Sequence, residues 1–281
     1  MSGAPPPKIS AVILNYRDPA MTLRSVAAFE AAAREADIAV ETIIVDNSAN
    51  ESGEALKPEV DVERILIANE GNRGFAAANN QGFARARAPY VLAINNDASA
   101  TAESLRKGLA YLEANPEAAL WAPRLVFGDG RHQPSIGSVP TLWSLFAEYL
   151  LPARFGVRRE TTSTGPRVVG TVTGAFMLIR REILESLGGF DESYFFTMED
   201  VDLCARIRGA GYRVVYDSAL SVVHLGGGSQ RWKWLSDPHL HRSRVLFFRK
   251  RQGLIAAILA SIIIGAGLFV RRLLASGRVE S

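Results

Sequence analysis

The stretch ISAVILNYRDPAMTLRSVAAFEAAAREADIAVETIIVD, residues 9–46, lays out a strand, a helix and a second strand in order. Ile9–Leu14 is a short apolar run bounded by Asn15, the pattern of a strand buried on both faces. Asp18 followed by Pro19 is a helix start, since proline lacks only an amide that the first turn leaves unpaired. Leu23, Val26, Ala27 and Phe29 then recur at helical spacing towards Ala36, and Glu41–Val45 reads as a strand ending at Asp46. The alternation continues outward with strands over Arg64–Ala68, Tyr90–Ile94 and Leu120–Val126 and helices over Gly74–Ala86 and Thr101–Glu113. This order predicts an α/β fold, with a mostly parallel central sheet and helices on both faces. Ligands of such sheets bind at the carboxyl ends of the strands, and Asn15, Asp46 and Asn95–Asp97 stand at three of them.

The second half is less regular. Residues 132–167 are rich in Pro, Gly and aromatic residues and read as a loop-and-helix excursion. Val168–Ile179 reads as a strand, Arg180–Leu187 and Glu199–Arg208 as helices, and Arg213–Tyr216 and Ala219–His224 as two short strands.

Composition narrows the class. The chain has 281 residues, 48% hydrophobic and 22% charged, which excludes disorder, collagen and coiled coil. One cysteine, Cys204, excludes a disulfide framework and a thiol-rich metal site, and fits a reducing compartment. The net charge of +3 is uneven: residues 239–281 carry +7 and the rest −4. No nucleic-acid partner is expected from this, because the positive charge flanks an apolar run. Leu254–Val270 is seventeen uncharged residues, about 25 Å as a helix. That length admits a shallow or re-entrant membrane helix, a true span or a helix packed on its own domain. The proline-rich start, MSGAPPPK, lacks a basic-then-apolar signal, so the body is expected in the cytosol. The expected division is a disordered leader 1–7, a catalytic domain 8–238 and a membrane-associating tail 239–281.

Five constellations carry candidate chemistry. Asn95-Asn96-Asp97 offers a carboxylate for a divalent cation, although an Asx turn explains the same residues. Asp46 offers an acceptor for a nucleotide base, or ordinary turn chemistry. The run 72–82, NRGFAAANNQG, surrounds a helix start with amide donors, and Arg73 suits diphosphate. Asn79 and Asn80 are poor helix formers that packing does not explain. Phe195–Asp202, FFTMEDVD, opens a helix with three acids beside aromatic rings, where burial would raise a carboxyl towards the range of a general base. His224 precedes a glycine run, 226–228, suited to closing over a ligand.

Taken in order, VILNY (12–16), IIVDNS (43–48), NRGFAAANNQG (72–82), INND (94–97), TGAFMLIRRE (173–182), GGFDESYFFTMEDVDLCARIRGAGY (188–212) and HLGGGS (224–229) resemble the family 2 glycosyltransferases of GT-A fold. The flavour is that of the rhamnosyltransferase-like members that build bacterial surface polysaccharide. The resemblance implies an inverting transferase that moves a sugar, rhamnose among the candidates, from a UDP- or dTDP-sugar to a glycan or polyprenyl-linked acceptor. It implies donor contacts at Asn15, Tyr16, Asp46, Asn72, Arg73, Asn79 and Asn96, and acceptor contacts at Gly174 and Glu199. Asp200 matches the catalytic base. Asp97 and His224 match metal positions, while Asn95 replaces the first acid of the family's Asp-x-Asp motif. An imidazole ligand favours Mn²⁺ over Mg²⁺ as the divalent cofactor. Asp202 is expected to be structural. The tail would hold the enzyme on the anionic cytoplasmic face of the membrane, where a lipid-linked acceptor lies.

Rival classes fit less well. A sugar nucleotidyltransferase would carry a glycine-rich, basic loop after the first strand, where LNYRDP stands instead. A dinucleotide dehydrogenase would show G-x-G-x-x-G there. An inactive scaffold of the same fold would have lost its metal or base residues, and Asp97 and Asp200 are both present.

Overall fold

The computed structural model describes residues 5–49, 53–56, 64–151, 164–226 and 237–276. The expected leader therefore lies mostly outside the described residues, as do Gly227, Gly228 and Ser229 of the glycine run.

Elements follow in the order β1 (Ile9–Asn15), α1 (Pro19–Ala36), β2 (Val40–Asp46), α2 (Gly53–Leu56), β3 (Arg64–Ala68), α3 (Phe75–Phe83), β4 (Tyr90–Asn95), β5 (Ala98–Ser99), α4 (Ala102–Ala114), β6 (Ala118–Val126), β7 (His132–Gln133), β8 (Ile136–Gly137) and α5 (Leu142–Leu150). They continue with β9 (Pro166–Val169), β10 (Thr171–Val172), β11 (Phe176–Arg180), α6 (Arg181–Ser186), α7 (Glu199–Gly209), β12 (Arg213–His224), α8 (Pro238–Gln252) and α9 (Leu254–Ser276). The described residues fall into two compact units, one from 1–137 and 163–229, the other from 138–162 and 230–281. The excursion after β8 thus groups with the tail, whereas the expected boundary at 238 kept it with the sheet.

The first unit is built on a sheet of order β3-β2-β1-β4-β11-β6-β12-β5. The strands β3, β2, β1 and β4 run parallel, as do β6 and β12, while β11 lies antiparallel to both β4 and β6. Successive side chains alternate between two cores, as a pleated strand buried on both faces requires. Ile9, Ala11 and Ile13 face Val26, Phe29 and Leu105 on one side; Val12, Ile43 and Val45 face Ala76, Phe83 and Leu203 on the other.

Local signals explain the helix ends. Asp18 caps α1 by accepting from the Met21 amide at 2.9 Å, and Asp37 closes it in a left-handed conformation. Thr101 and Ser104 form a reciprocal capping box on α4. Gly82 lets α3 lie directly on β1, since a Cβ there would come 2.3 Å from Val12 Cγ1. Gly82→Ala should therefore cost about 1–3 kcal/mol by overpacking. A urea midpoint unchanged from wild type would refute that reading of the contact.

Three expectations change. Val168–Ile179 is not one strand but β9, β10 and β11: Thr171–Val172 pairs with β8 in a separate two-stranded sheet, the Thr173 amide bonds to the Ser135 carbonyl, and the chain rejoins β4 where the Ala175 carbonyl accepts from the Asn95 amide. The two short strands over 213–224 are one strand, β12, whose register shifts between Asp217 and Ser221. The basic run after 238 forms α8, whose buried side (Leu240, Ser243, Arg244, Phe247 and Phe248) the dense charge conceals in the sequence.

Candidate active site

The strand ends meet in a closed ring of hydrogen bonds. Asn15 is fully buried; its Nδ2 donates to Asp46 Oδ1 at 2.8 Å and Ser48 Oγ at 3.0 Å, and its Oδ1 accepts from Thr22. Asp46 Oδ1 also accepts from the Ser48 amide at 3.1 Å. Asp46 Oδ2, equally buried, has no partner among the described residues. A bare carboxylate oxygen costs free energy unless something donates to it, so its geometry suits a ligand N–H. Tyr16, next in the chain after Asn15, is 47% exposed, with Arg17 over its ring.

Asn47 carries the ring onward. It donates to Asn72 Oδ1 at 2.8 Å and accepts from the Arg73 amide at 2.9 Å. Asn72 Oδ1 also takes the Gly74 amide, and the Phe75 amide bonds to the Phe195 carbonyl. The Gly74 and Phe75 amides at the start of α3 are thus engaged within the protein and are not available to the anion expected there. The exposed Arg73 guanidinium is the remaining cationic group of that loop. The two asparagines of α3 now have reasons. Asn79 is buried and donates to the Phe75 carbonyl at 2.9 Å. Asn80 clasps the loop before α7, giving to the Phe190 carbonyl and taking the Phe190 amide, both at 2.8 Å. Asn72 and Asn79, expected at the donor, therefore hold the loop and the helix through these bonds.

On the other side of the ring, Asn96 Nδ2 donates to Thr22 Oγ1 at 3.1 Å, tying β4 to Asn15. His224 Nε2 lies 3.1 Å from Asp97 Oδ1 and 3.3 Å from Asn95 Nδ2. Gln133 Oε1 sits 2.9 Å from His224 Nδ1, an acceptor for a proton on that nitrogen, and a ring so held would offer Nε2 as a ligand atom beside Asp97. Two electron-rich atoms 3.1 Å apart fit a shared cation, with about the spacing of adjacent ligands around an ion bound at roughly 2.1 Å. Asp97 Oδ2 accepts from the Gly226 amide at 3.1 Å. Among the described residues no group of three His, Cys, Asp or Glu converges; the pair leaves positions for ligand oxygens, and Asn95 turns its Nδ2, a hydrogen-bond donor, toward the imidazole.

The acids of α7 complete the ring. Asp200 Oδ2 accepts from the Gly174 amide at 2.9 Å and Oδ1 from the Val201 amide at 2.7 Å. Gly174, expected at the acceptor, spends its amide on Asp200, and the next residue, Ala175, takes the Asn95 amide, so one dipeptide joins the acid to the Asn95–Asp97 cluster. Burial pushes the Asp200 carboxyl up, against the pull of the two amides. Burial, and then the charge of Asp200, push Glu199 well above its ordinary value, and Glu199 Oε2 has no partner among the described residues. Thr197 and Met198, at φ 71° and 72°, enter α7 through the left-handed region, a conformation that costs free energy and persists where the surroundings fix it. Asp202 is fully buried and paired with Arg206 at 2.7 Å, as a structural acid should be. Burial lifts the Cys204 thiol to about 12, which leaves it inert.

The Glu199 shift has a measurable consequence. A carboxyl raised in the folded state adds most stability below the ordinary value of 4.5 and loses it as pH rises through the raised value. Glu199→Gln should match wild type at pH 4 and gain on it above, by up to about 1.4 kcal/mol per pH unit. Parallel denaturation curves at pH 4 and pH 8 would contradict this.

Sequence reasoning missed Thr22, Asn47 and Gln133. Thr22 was detectable as a polar residue on the buried stripe of α1; Gln133 sits in a two-residue strand with no local signal.

Comparison with known proteins fits this geometry. Residues 10–188 match the model of Glycosyl transferase family 2. The chain is 28% identical over 207 residues to the N-acetylglucosaminyl-diphospho-decaprenol L-rhamnosyltransferase of Mycobacterium tuberculosis H37Rv, covering 66% of each chain. It is 28% identical over 138 residues to rhamnosyltransferase WbbL of Escherichia coli K12, covering 48% of this chain and 52% of that one. It thus spans just under two thirds, and about half, of those relatives. In fold it is similar to a mannosyltransferase of Pyrobaculum calidifontis solved with GDP-Man and Mn²⁺, at 18% identity and a TM-score of 0.59, over 97% of this chain and 80% of that one. With the family match extending over well more than half of its length, the chain belongs to glycosyl transferase family 2 and has the GT-A fold.

Proposed function

We propose that the protein is an inverting glycosyltransferase that uses a UDP- or dTDP-sugar, rhamnose being the favoured sugar, and delivers it to a hydroxyl of a glycan or polyprenyl-linked acceptor in surface-polysaccharide synthesis. The observation that carries the reading is the buried Asp46 Oδ2 at the carboxyl end of a parallel strand, without a partner among the described residues, which suits the acceptance of a base N–H. The named rhamnosyltransferase relatives support the sugar class.

Each residue then has a task. Asp46 holds the base, Asn15 and Ser48 fix that carboxylate, and the exposed Tyr16 ring walls the pocket. Arg73 meets the diphosphate. The donor pair of Asp97 and His224 fits a divalent ion, Mn²⁺ ahead of Mg²⁺ because of the imidazole. Bound there, the ion would supply positive charge to the departing diphosphate. Asp200 takes the proton from the acceptor hydroxyl at a carboxylate oxygen, and the hydroxyl attacks opposite the leaving group, inverting the anomeric centre. Glu199, whose carboxyl burial pushes well above its ordinary value, holds the acceptor. The apolar α9 with its basic flanks brings the protein to the cytoplasmic membrane face.

A thermal-shift screen of UDP- and dTDP-sugars with Mn²⁺ tests this. A donor at a hundred times its Kd adds about 2.7 kcal/mol of stability, or roughly 5–10 °C in Tm. Asp46→Ala should abolish that shift. If no nucleotide sugar moves the wild-type Tm, the reading fails.

A further inference from the structure

The second unit joins α5, α8 and α9, and its two long helices double back. Arg244, nine residues before Gly253, and Arg271, eighteen after it, both stack over the Tyr149 ring of α5, at 5.2 and 5.4 Å. As one straight helix those two arginines would stand about 40 Å apart. Gly253, at φ 90°, makes the reversal. The hairpin is locked by polar contacts: Arg244 donates to Tyr149 Oη and Glu148 Oε1, both at 2.8 Å, and Arg271 to the Glu148 carbonyl.

The two sides of α9 are opposite in kind. Ala256, Ala257, Ala260, Ile264 and Gly267 face inward. Gly267 allows an approach so close that a Cβ would lie 2.6 Å from Tyr149 Cβ. Outward, Ile255, Ile258, Ile262 and Phe269 form one stripe at 52–77% exposure. A helix on a water-facing surface places charge there instead. Trp143 of α5, 69% exposed and stacked on Phe146, adds an interfacial aromatic. The exposed surface of α8 carries Arg242, Arg249, Lys250 and Arg251.

Leu254–Leu273 is long and apolar enough to cross a bilayer. A spanning α9 would nevertheless draw α8, which folds back along it, into hydrocarbon together with these cations and the Arg244–Glu148 pair. We propose that the unit is a one-leaflet platform: α9 lies in the membrane plane with its isoleucine stripe in the acyl layer, Trp143 at the boundary and the α8 cations on anionic headgroups. This rests on the membrane reading above and decides its topology.

The test uses the full chain. Flotation with phosphatidylglycerol-containing vesicles should capture it, and Ile255→Asp/Ile258→Asp/Ile262→Asp should lower vesicle affinity at least tenfold with an unchanged melting profile. Arg249→Gln/Lys250→Gln/Arg251→Gln should weaken binding to anionic vesicles and spare that to neutral ones. In sealed inside-out membrane vesicles, a tag after Ser281 should be digested by added protease without detergent. A tag digested only after detergent means a span and overturns the one-leaflet topology, leaving membrane association intact. Failure to float, whether the stripe pairs two copies in sedimentation or the chain stays monomeric, overturns the platform altogether. Donor-induced thermal shift on the same preparation reports on the transferase reading separately.

Discussion

Asp200→Asn should lower sugar transfer by about 10²–10⁴-fold, the range a positioned general base contributes, and leave the donor-induced thermal shift in place. The substitution keeps the shape of the side chain and one acceptor oxygen for the Gly174 or Val201 amide, but it removes the group that takes the acceptor proton. The pH dependence makes the test specific. Burial holds the wild-type carboxyl above the ordinary aspartate value of 3.8, so the acid limb of kcat should fall above that value as well. In the Asn variant the residual rate should be flat through the same window. Transfer at the wild-type rate, or an unchanged acid limb, would remove Asp200 from the role. Gly174→Ala is the paired control, since a Cβ there would meet Phe75 and Asp200 at ordinary distances of 3.5 and 3.6 Å. It should preserve the acid limb and change the rate by severalfold at most.

The sequence read well where one residue type served one local purpose. The apolar run of β1, the Asp18-Pro19 start of α1 and the capped start of α4 are short-range signals, and each element lies within a few residues of its expectation. The reading failed where a segment answers to distant partners. Thr171–Ala175 looks like strand of the main sheet because its neighbours are β-formers, yet distant β8 pairs with Thr171–Val172 in a separate sheet and Ser135 takes the Thr173 amide. The amides opening α3 look available in sequence, and only the folded chain brings the Phe195 carbonyl onto one of them. The same limit applies to α8, where charge spacing hides a buried side that exists because α5 and α9 cover it. Among the candidate site residues, strand-end polarity located Asn15, Asp46 and Asp97. Gln133 became visible only once β7 had paired with β6 beside β12.

Asp97→Ala should raise the Mn²⁺ concentration needed for donor binding by at least tenfold, with donor affinity in the absence of metal unchanged. The argument is electrostatic. A ring held with its proton on Nδ1 toward Gln133 would offer His224 Nε2 as a ligand atom 3.1 Å from Asp97 Oδ1. Removing the carboxylate leaves a lone imidazole, which holds a hard divalent ion poorly. Gln133→Leu provides the graded companion. It keeps both ligands and removes the acceptor that fixes the ring tautomer, a change of the kind that typically costs 10- to 100-fold in metal affinity. Mn²⁺ binding followed by electron paramagnetic resonance separates these effects from turnover. The expected order of affinity is wild type, then Gln133→Leu, then Asp97→Ala. Asp97→Ala binding Mn²⁺ like wild type would dissolve the metal site, and Gln133→Leu alone behaving like wild type would free His224 from its tautomer constraint while leaving Asp97 in place.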